Sequence, residues 1–296
     1  NHSIDSDDFL RVAAVQGSVP DLGLDFNAQR EAVLKNHIEL SRNWNSQANR
    51  PLNFKPDLFL WPENASDVDP LTTAKLQISN LVTYLEKPLI VGGVGNTNNA
   101  PTNLSILWEP KLGPSNIYLK RHLAPFGEVM PLRSIAEIIS PLAKNVTDFR
   151  AGETAKIFNV GDAKISPVIC FEILDDNLMR GSFGKSNLIV AQTNNATFGE
   201  SAESDQQLQI TRARAIESGR NIVVVSTVGN TAFIDRTGEI ISILPKYEAG
   251  ILYGEVNLTN ENTSALWFSS WVVKGSVAAI FVLLIFSVRR RFFRVA

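Results

Sequence analysis

Short apolar runs alternating with longer amphipathic segments constrain this chain more than any other feature. Residues 11–17, 58–61, 89–92, 164–170, 187–192 and 221–227 are dominated by aliphatic and β-branched side chains, the mark of buried strands. Between them, residues 25–44, 71–85 and 204–218 set apolar positions at helical spacing, and 132–139 predicts a shorter helix. Further strands are predicted at 103–108, 116–119, 156–160, 231–235, 239–244 and 251–256. Hairpin or turn signals fall at 96–101, 161–162 and 236–238. Strand–helix alternation broken by hairpins implies an α/β architecture with a mixed sheet. No repeat or low-complexity tract interrupts the pattern, so 9–257 reads as one domain behind a polar, disordered lead-in at 1–8.

Composition narrows the function classes. With 296 residues, 44% of them hydrophobic, the chain can bury a sizeable core. A net charge of −2 without a basic stripe argues against a nucleic-acid surface. The three histidines (His2, His37, His122) lack zinc-site spacing and there is no CxxC pair, so neither a metal nor another cofactor is expected. A single cysteine rules out an internal disulfide and leaves the compartment open.

The last forty residues differ in kind. Residues 265–288 are almost wholly apolar, with Lys274 the one charge, and Arg289, Arg290, Arg291 and Arg294 follow. The length suits a bilayer span of about 20 residues. Lys274 can snorkel to an interface where Trp267 and Trp271 form an aromatic belt, and the arginines mark a cytoplasmic side. The expected layout is a juxtamembrane linker at 258–264, a transmembrane helix at 265–288 and a basic cytoplasmic tail at 289–296, with the globular domain on the outer face. A buried core helix or an amphipathic surface helix is the alternative. Export would need an upstream signal or membrane region, which this sequence, opening at Asn1, does not contain.

Three patterns can carry chemistry. Cys170 ends an apolar strand just ahead of an acidic segment, Glu172–Asn177, that predicts a helix start. Backbone dipoles there favour a thiolate, although an inert packing cysteine fits the same pattern. Glu63 follows a buried strand and Pro62, which fixes its backbone; a solvated loop glutamate is the plain alternative. Lys120 ends another strand and precedes Glu128 across a loop bearing Pro125 and Gly127. Cysteine catalysis needs a base and oxyanion donors. His122 has little support as the base, and Glu63 with Lys120 is what the chain offers instead.

The order Glu63, Lys120, Cys170, each at a strand end, resembles the Glu-Lys-Cys triad of the nitrilase, or carbon–nitrogen hydrolase, superfamily. The wording around it resembles the apolipoprotein N-acyltransferase family more than a soluble amidase. It runs Trp61-Pro62-Glu63, then Lys120-Arg121-His122-Leu123-Ala124-Pro125-Phe126-Gly127-Glu128, then Cys170-Phe171-Glu172. Residues 192–199 and the helix carrying Arg212, Ala213 and Arg214 are similar to that family too. Thr197 stands where the family more often has tryptophan, a variant reminiscent of actinobacterial members. The resemblance spans about residues 9–290.

It implies a four-layer α-β-β-α sandwich with a C-terminal membrane helix, preceded in such enzymes by further membrane helices. It also implies Glu63 as general base, Lys120 and the N–H of Phe171 as oxyanion donors, and Cys170 as the nucleophile. Glu128, Glu172 and Asn103 would be supports, and Asn195, Thr197 and Phe198 would lie on a substrate loop. The implied partners are a phospholipid acyl donor, an apolipoprotein acceptor and the membrane, with a glycolipid synthase as a further partner and a monomer as the expected state. A membrane-anchored amidase and a non-catalytic tethered binding module are the other readings.

Overall fold

In the computed structural model, residues 8–19, 30–97, 99–139 and 147–292 are described, without side chains at 139, 267, 269, 270, 273 and 287–292. The predicted positions 1–7, 25–29 and 293–296 lie outside this set. Two six-stranded sheets form the centre. The first has β1 (Phe9–Gln16), β2 (Leu58–Leu60), β3 (Leu89–Thr97), β4 (Ala100–Glu109), β5 (Gly113–Leu119) and β12 (Gly250–Asn257) in the order β12-β1-β2-β3-β4-β5. The second has β6 (Phe158–Val160), β7 (Ala163–Ile169), β8 (Leu188–Thr193), β9 (Ile222–Ser226), β10 (Ala232–Ile234) and β11 (Ile240–Ile243) in the order β11-β10-β9-β8-β7-β6.

The residue patterns imply one mixed sheet, and the fold has two. Strand periodicity says which face is buried but not which strands share a ladder. β12 returns to pair antiparallel with β1, while β1, β2 and β3 run parallel, as do β7, β8 and β9.

Three apolar clusters define the layers. Leu10, Val12, Leu58 and Leu60 from the first sheet meet Ile165, Ile169, Val190 and Val223 from the second, so the main core lies between the sheets. Helices α1 (Arg30–Arg42) and α2 (Lys75–Leu85) cover the outer face of the first sheet through Leu34, Ile78, Leu81 and Val82. Helices α4 (Asp176–Phe183) and α5 (Glu203–Ser218) cover the second through Leu178, Met179, Phe183 and Leu208. Each such aliphatic side chain stabilises the fold by roughly 1.5–3 kcal/mol on burial. The result is the four-layer α-β-β-α sandwich. The short helix α3 (Arg133–Ile139) is the one predicted at 132–139.

A 29-residue helix, α6 (Ser264–Phe292), contains the expected span. Beyond its first turn its described apolar side chains, among them Phe268, Trp271, Ile280, Leu283 and Phe286, are exposed. Counted over the described residues, no helix is long and apolar enough to cross a membrane.

Candidate active site

Both sheets deliver residues to one place, beyond the C-terminal ends of their parallel strands. β2 ends at Leu60, and Trp61 and Pro62 carry the chain to Glu63, with Asn64 in the left-handed region at φ 59°. β3 passes close behind: a Cβ on Gly92 would stand 2.2 Å from the Pro62 carbonyl oxygen, so only glycine fits there. The second sheet closes the turn from the other side. Thr227 Oγ1 donates to the Glu63 carbonyl at 2.9 Å, and Gln192 Nε2 donates to the Trp61 carbonyl at 2.7 Å. Proline, one glycine and two cross-sheet bonds therefore aim the Glu63 side chain, which is 5% exposed.

Around that carboxylate the polar groups are tightly paired. Glu63 Oε1 accepts from Asn103 Nδ2 at 2.7 Å and from Lys120 Nζ at 3.1 Å, while Oε2 accepts from the Asn194 N–H at 3.0 Å. Lys120, directly after β5 and 1% exposed, also donates to Glu128 at 2.9 Å. Asn103, in β4, bridges the two carboxylates by donating to Glu128 Oε1 at 2.8 Å. The Ala124 N–H holds the other Glu128 oxygen at 2.7 Å. Burial works against charge on Lys120, but Glu63, the Cys170 sulfur and Glu128 outweigh it and hold the ammonium above the ordinary lysine range. Lys120 is thus a fixed cation, suited to stabilising an oxyanion and unsuited to acting as a base.

Cys170 follows β7 at φ 47°, a left-handed conformation that costs a non-glycine residue roughly 1–3 kcal/mol. The resulting sharp turn, Cys170–Leu174, is a 3-10 helix. Cys170 is half-buried with its thiol under the influence of the Glu63 carboxylate, and Gln207 Nε2 of α5 lies 3.7 Å from Sγ. Burial first, then the negative charge of Glu63, push the thiol up to about 12, against the lowering effect of Lys120.

This corrects the expectation of a thiolate favoured by helix dipoles. Helix α4 begins only at Asp176, capped by Asp175, several residues beyond the sulfur. Burial and the neighbouring Glu63 charge favour the protonated thiol over the thiolate. Proton transfer must accompany attack.

Glu172 is wholly buried behind the nucleophile turn. It accepts from Tyr118 Oη (2.7 Å), the Arg121 N–H (2.6 Å), the His122 N–H (3.3 Å) and the Ile169 N–H (2.9 Å). One carboxylate thereby ties the Lys120 loop to the end of β7, although burial raises its own proton affinity. Phe171 lies edge-on to His122, with ring centroids 5.2 Å apart, and His122 Nδ1 pairs with Asp175 at 2.5 Å. The histidine is engaged there rather than at the sulfur. Arg214 of α5 braces the same turn by donating to the Ile173 and Leu174 carbonyls at 2.9 and 3.1 Å.

The structure therefore gathers Glu63, Asn103, Lys120, Glu128 and Cys170, with Glu172 and Phe171 adjoining. Asn195, at φ 64°, reaches the cluster indirectly by donating to Gln207 Oε1 at 3.0 Å. Thr197 is exposed and Phe198 half-buried, and the described contacts place neither against the cluster. Sequence reasoning missed Asn194 and Gln207. Asn194 acts through its backbone N–H, which no residue type announces. Gln207 is one of two adjacent glutamines on a polar helix, and only the turn of α5 shows which one faces the sulfur.

Known proteins place this geometry. The sequence model of the carbon–nitrogen hydrolase family matches residues 11–263. An apolipoprotein N-acyltransferase from Mycolicibacterium smegmatis is 35% identical over 268 residues, covering 88% of this chain and 45% of that protein. One from Azotobacter vinelandii is 30% identical over 278 residues, covering 90% of this chain and 51% of that protein. The chain spans about half the length of the curated relatives it matches.

Among solved structures, the carbon–nitrogen hydrolase superfamily protein XC1258 from Xanthomonas campestris superposes with a TM-score of 0.60 at 18% identity, covering 84% of this chain and 91% of that one. A Nesterenkonia amidase of the nitrilase superfamily gives 0.64 at 14%, covering 91% and 100%. These likenesses carry the fold alone. With the family's sequence pattern running through nearly all of both sheets, the chain belongs to the carbon–nitrogen hydrolase family.

Proposed function

We propose that this chain is the catalytic portion of an apolipoprotein N-acyltransferase, moving an acyl chain from a membrane phospholipid to the α-amine of a diacylglyceryl-cysteine at a lipoprotein N-terminus. One observation carries the reading: the Glu63–Lys120–Cys170 cluster and a 29-residue helix with exposed apolar side chains belong to the same chain. The identity to named N-acyltransferases supports it.

Glu63 takes the Cys170 proton as Sγ attacks the donor's ester carbonyl. Lys120 Nζ and the N–H of Phe171 stabilise the oxyanion. As the tetrahedral intermediate collapses, Glu63 returns the proton to the departing glycerol oxygen. A lysophospholipid leaves and Cys170 holds a thioester. The acceptor amine then attacks that carbonyl, Glu63 takes the amine proton, and the sulfur leaves and is reprotonated, a ping-pong cycle. Glu128 and Asn103 hold Glu63 and Lys120, Glu172 holds the nucleophile turn, and Asn195, Thr197 and Phe198 belong to a substrate loop.

The membrane assignment is made on the whole sequence of α6, which carries one charge, Lys274, between 265 and 288. At 1.5 Å per residue a helix of this length reaches about 43 Å, enough for a core of about 30 Å. Its exposed Phe, Ile and Leu side chains would otherwise face water on every side. Lys274 packs over the Trp271 ring at 5.4 Å, a pairing suited to a membrane interface. Residues 9–257 then stand on the outer face and 289–296 in the cytoplasm. A glycolipid-synthase partner and a monomeric state find no support among the relatives, and neither enters the proposal.

The test is transfer. The full-length protein in phospholipid vesicles, given a diacylglyceryl-cysteine peptide, yields the N-acylated peptide, and C170A does not. Ammonia release from simple amides without peptide acylation would replace this reading with an amidase.

A further inference from the structure

Arg220 is 1% exposed, and the chemistry above makes no use of it. Its guanidinium has five N–H donors, and each finds one acceptor. Nε donates to the Ser186 carbonyl at 2.8 Å. Nη1 donates to Ser218 O at 3.3 Å and to Glu261 O, and Nη2 to Phe183 O at 3.3 Å and Asn262 Oδ1 at 2.9 Å. Phe183 ends α4 and Ser218 ends α5, so two of these acceptors are carbonyls at helix C-termini, where a cation is favoured. Glu261 and Asn262 belong to the segment leading into α6. None of the five acceptors is a carboxylate. A buried cation whose hydrogen bonds all go to neutral oxygens, with only the charge of the nearby Glu261 carboxylate in its favour, is costly, so its geometry must serve something.

Its surroundings show what is held. Thr263 Oγ1 donates to the Glu217 carbonyl. Gly219 is left-handed at φ 65°, and a Cβ there would stand 2.7 Å from Thr263 Cγ2. Asn221 Nδ2 donates to Asn257 O at 2.5 Å, and the Thr259 N–H to Asn187 O at 3.1 Å. Leu266, in the first turn of α6, packs against the apolar cluster under α4 and α5. The segment expected to be a linker at 258–264 is therefore seated on the domain. Its anchor, the end of α5, belongs to the helix that brings Gln207 to Cys170 and Arg214 to the nucleophile turn.

We propose that Arg220 is a positioning residue that locks α6 to α5 and so fixes the height and tilt of Cys170 relative to the bilayer. The inference rests on the membrane reading of α6 given above. It assigns the clamp no part in the chemical step.

Two variants of the full-length protein in lipid nanodiscs test it: R220Q, and a Gly-Ser-Gly insertion between Thr263 and Ser264 that leaves Arg220 intact. Two initial rates of Cys170 acylation are measured, from a water-soluble short-chain p-nitrophenyl ester and from nanodisc phospholipid. The insertion should keep the soluble rate within about twofold and lose at least ~10-fold from phospholipid, since small misplacements cost that much. Phospholipid acylation at the wild-type rate overturns the proposal. So does a parallel loss of both rates in the insertion variant, which would make the segment a folding element. Spin labels at K185C and G275C in a C170A background read the clamp without catalysis. One narrow distance in the parent and a broad distribution in both variants is expected, and unchanged widths overturn it. A wild-type protein that accepts acyl groups from the soluble ester but never from phospholipid defeats the acyltransferase reading, while the label distances still decide the clamp.

Discussion

Replacing Asn103 separates the hydrogen bonds that join the two site carboxylates from simple packing. Its Nδ2 donates at 2.7 Å to Glu63 and at 2.8 Å to Glu128. Bonds to charged groups contribute roughly 1.5–3 kcal/mol each. The low end applies, because both carboxylates keep Lys120, and each keeps one backbone N–H. N103L therefore loses about 3 kcal/mol from the two bonds. Against this, Asn103 Oδ1 is buried without a partner, and its removal offsets about 1 kcal/mol.

The net cost is about 2 kcal/mol, a fall in Tm of roughly 3 °C for a chain of this size. N103D keeps the shape but puts a third carboxylate between two others. It loses both donors and adds like-charge repulsion, for a total of about 4 kcal/mol or more. Urea titration of both variants, with the rate of Cys170 acylation by a soluble ester, checks the order: wild type, then N103L, then N103D. Acylation should fall about tenfold in N103L as Glu63 loses part of its hold. If N103D is as stable as N103L, the carboxylate-bridging argument is wrong, whatever the absolute values.

Two further outcomes follow from the titrating groups. With the thiol pushed up to about 12, alkylation of Cys170 by iodoacetamide should climb steadily through pH 10, since the thiolate is the reacting species. Q207L, which removes a donor to Sγ, should move that climb to still higher pH, and a plateau below pH 8 in either protein would refute the assignment. His37 is wholly buried and lowered to about 4 by desolvation, with its Nε2 accepting from the Gly17 N–H at 3.1 Å. Between pH 6.5 and 4 the unfolded chain takes a proton that the folded chain refuses. Its stabilisation is therefore fully present above 6.5 and is lost as pH falls, by about 3 kcal/mol. H37Q should flatten that part of the stability–pH curve, and an unchanged slope would contradict the burial argument.

Much of this architecture is legible in the residue pattern, and the gaps have physical reasons. Glu63, Lys120 and Cys170 stand at strand ends because buried strands must stop where polar chemistry begins, and that boundary is written in apolar runs and Pro62. The split into two sheets is not written there, since β2 and most of β7 are alike buried and pairing partners are chosen by tertiary packing. β3 runs on to Thr97, past the expected hairpin start, because it stays paired with β4 through Asn96–Pro101 and Thr97–Ala100. The helix expected to open at Glu172 is displaced for a local reason: the left-handed Cys170 opens a 3-10 turn, which delays α4 until Asp176. Thr197 is exposed, and the loop's wording alone does not say what it would touch.

The central claim is that Cys170 accepts an acyl group from a membrane lipid, and its mass is the most direct measure. Full-length protein incubated with phospholipid of defined acyl chains, without acceptor, should gain the mass of one acyl chain at Cys170. Neutral hydroxylamine should remove it, and E63Q, K120M and C170A should show none of it. An unmodified Cys170 in wild-type protein that turns over lipopeptide under the same conditions would contradict the account.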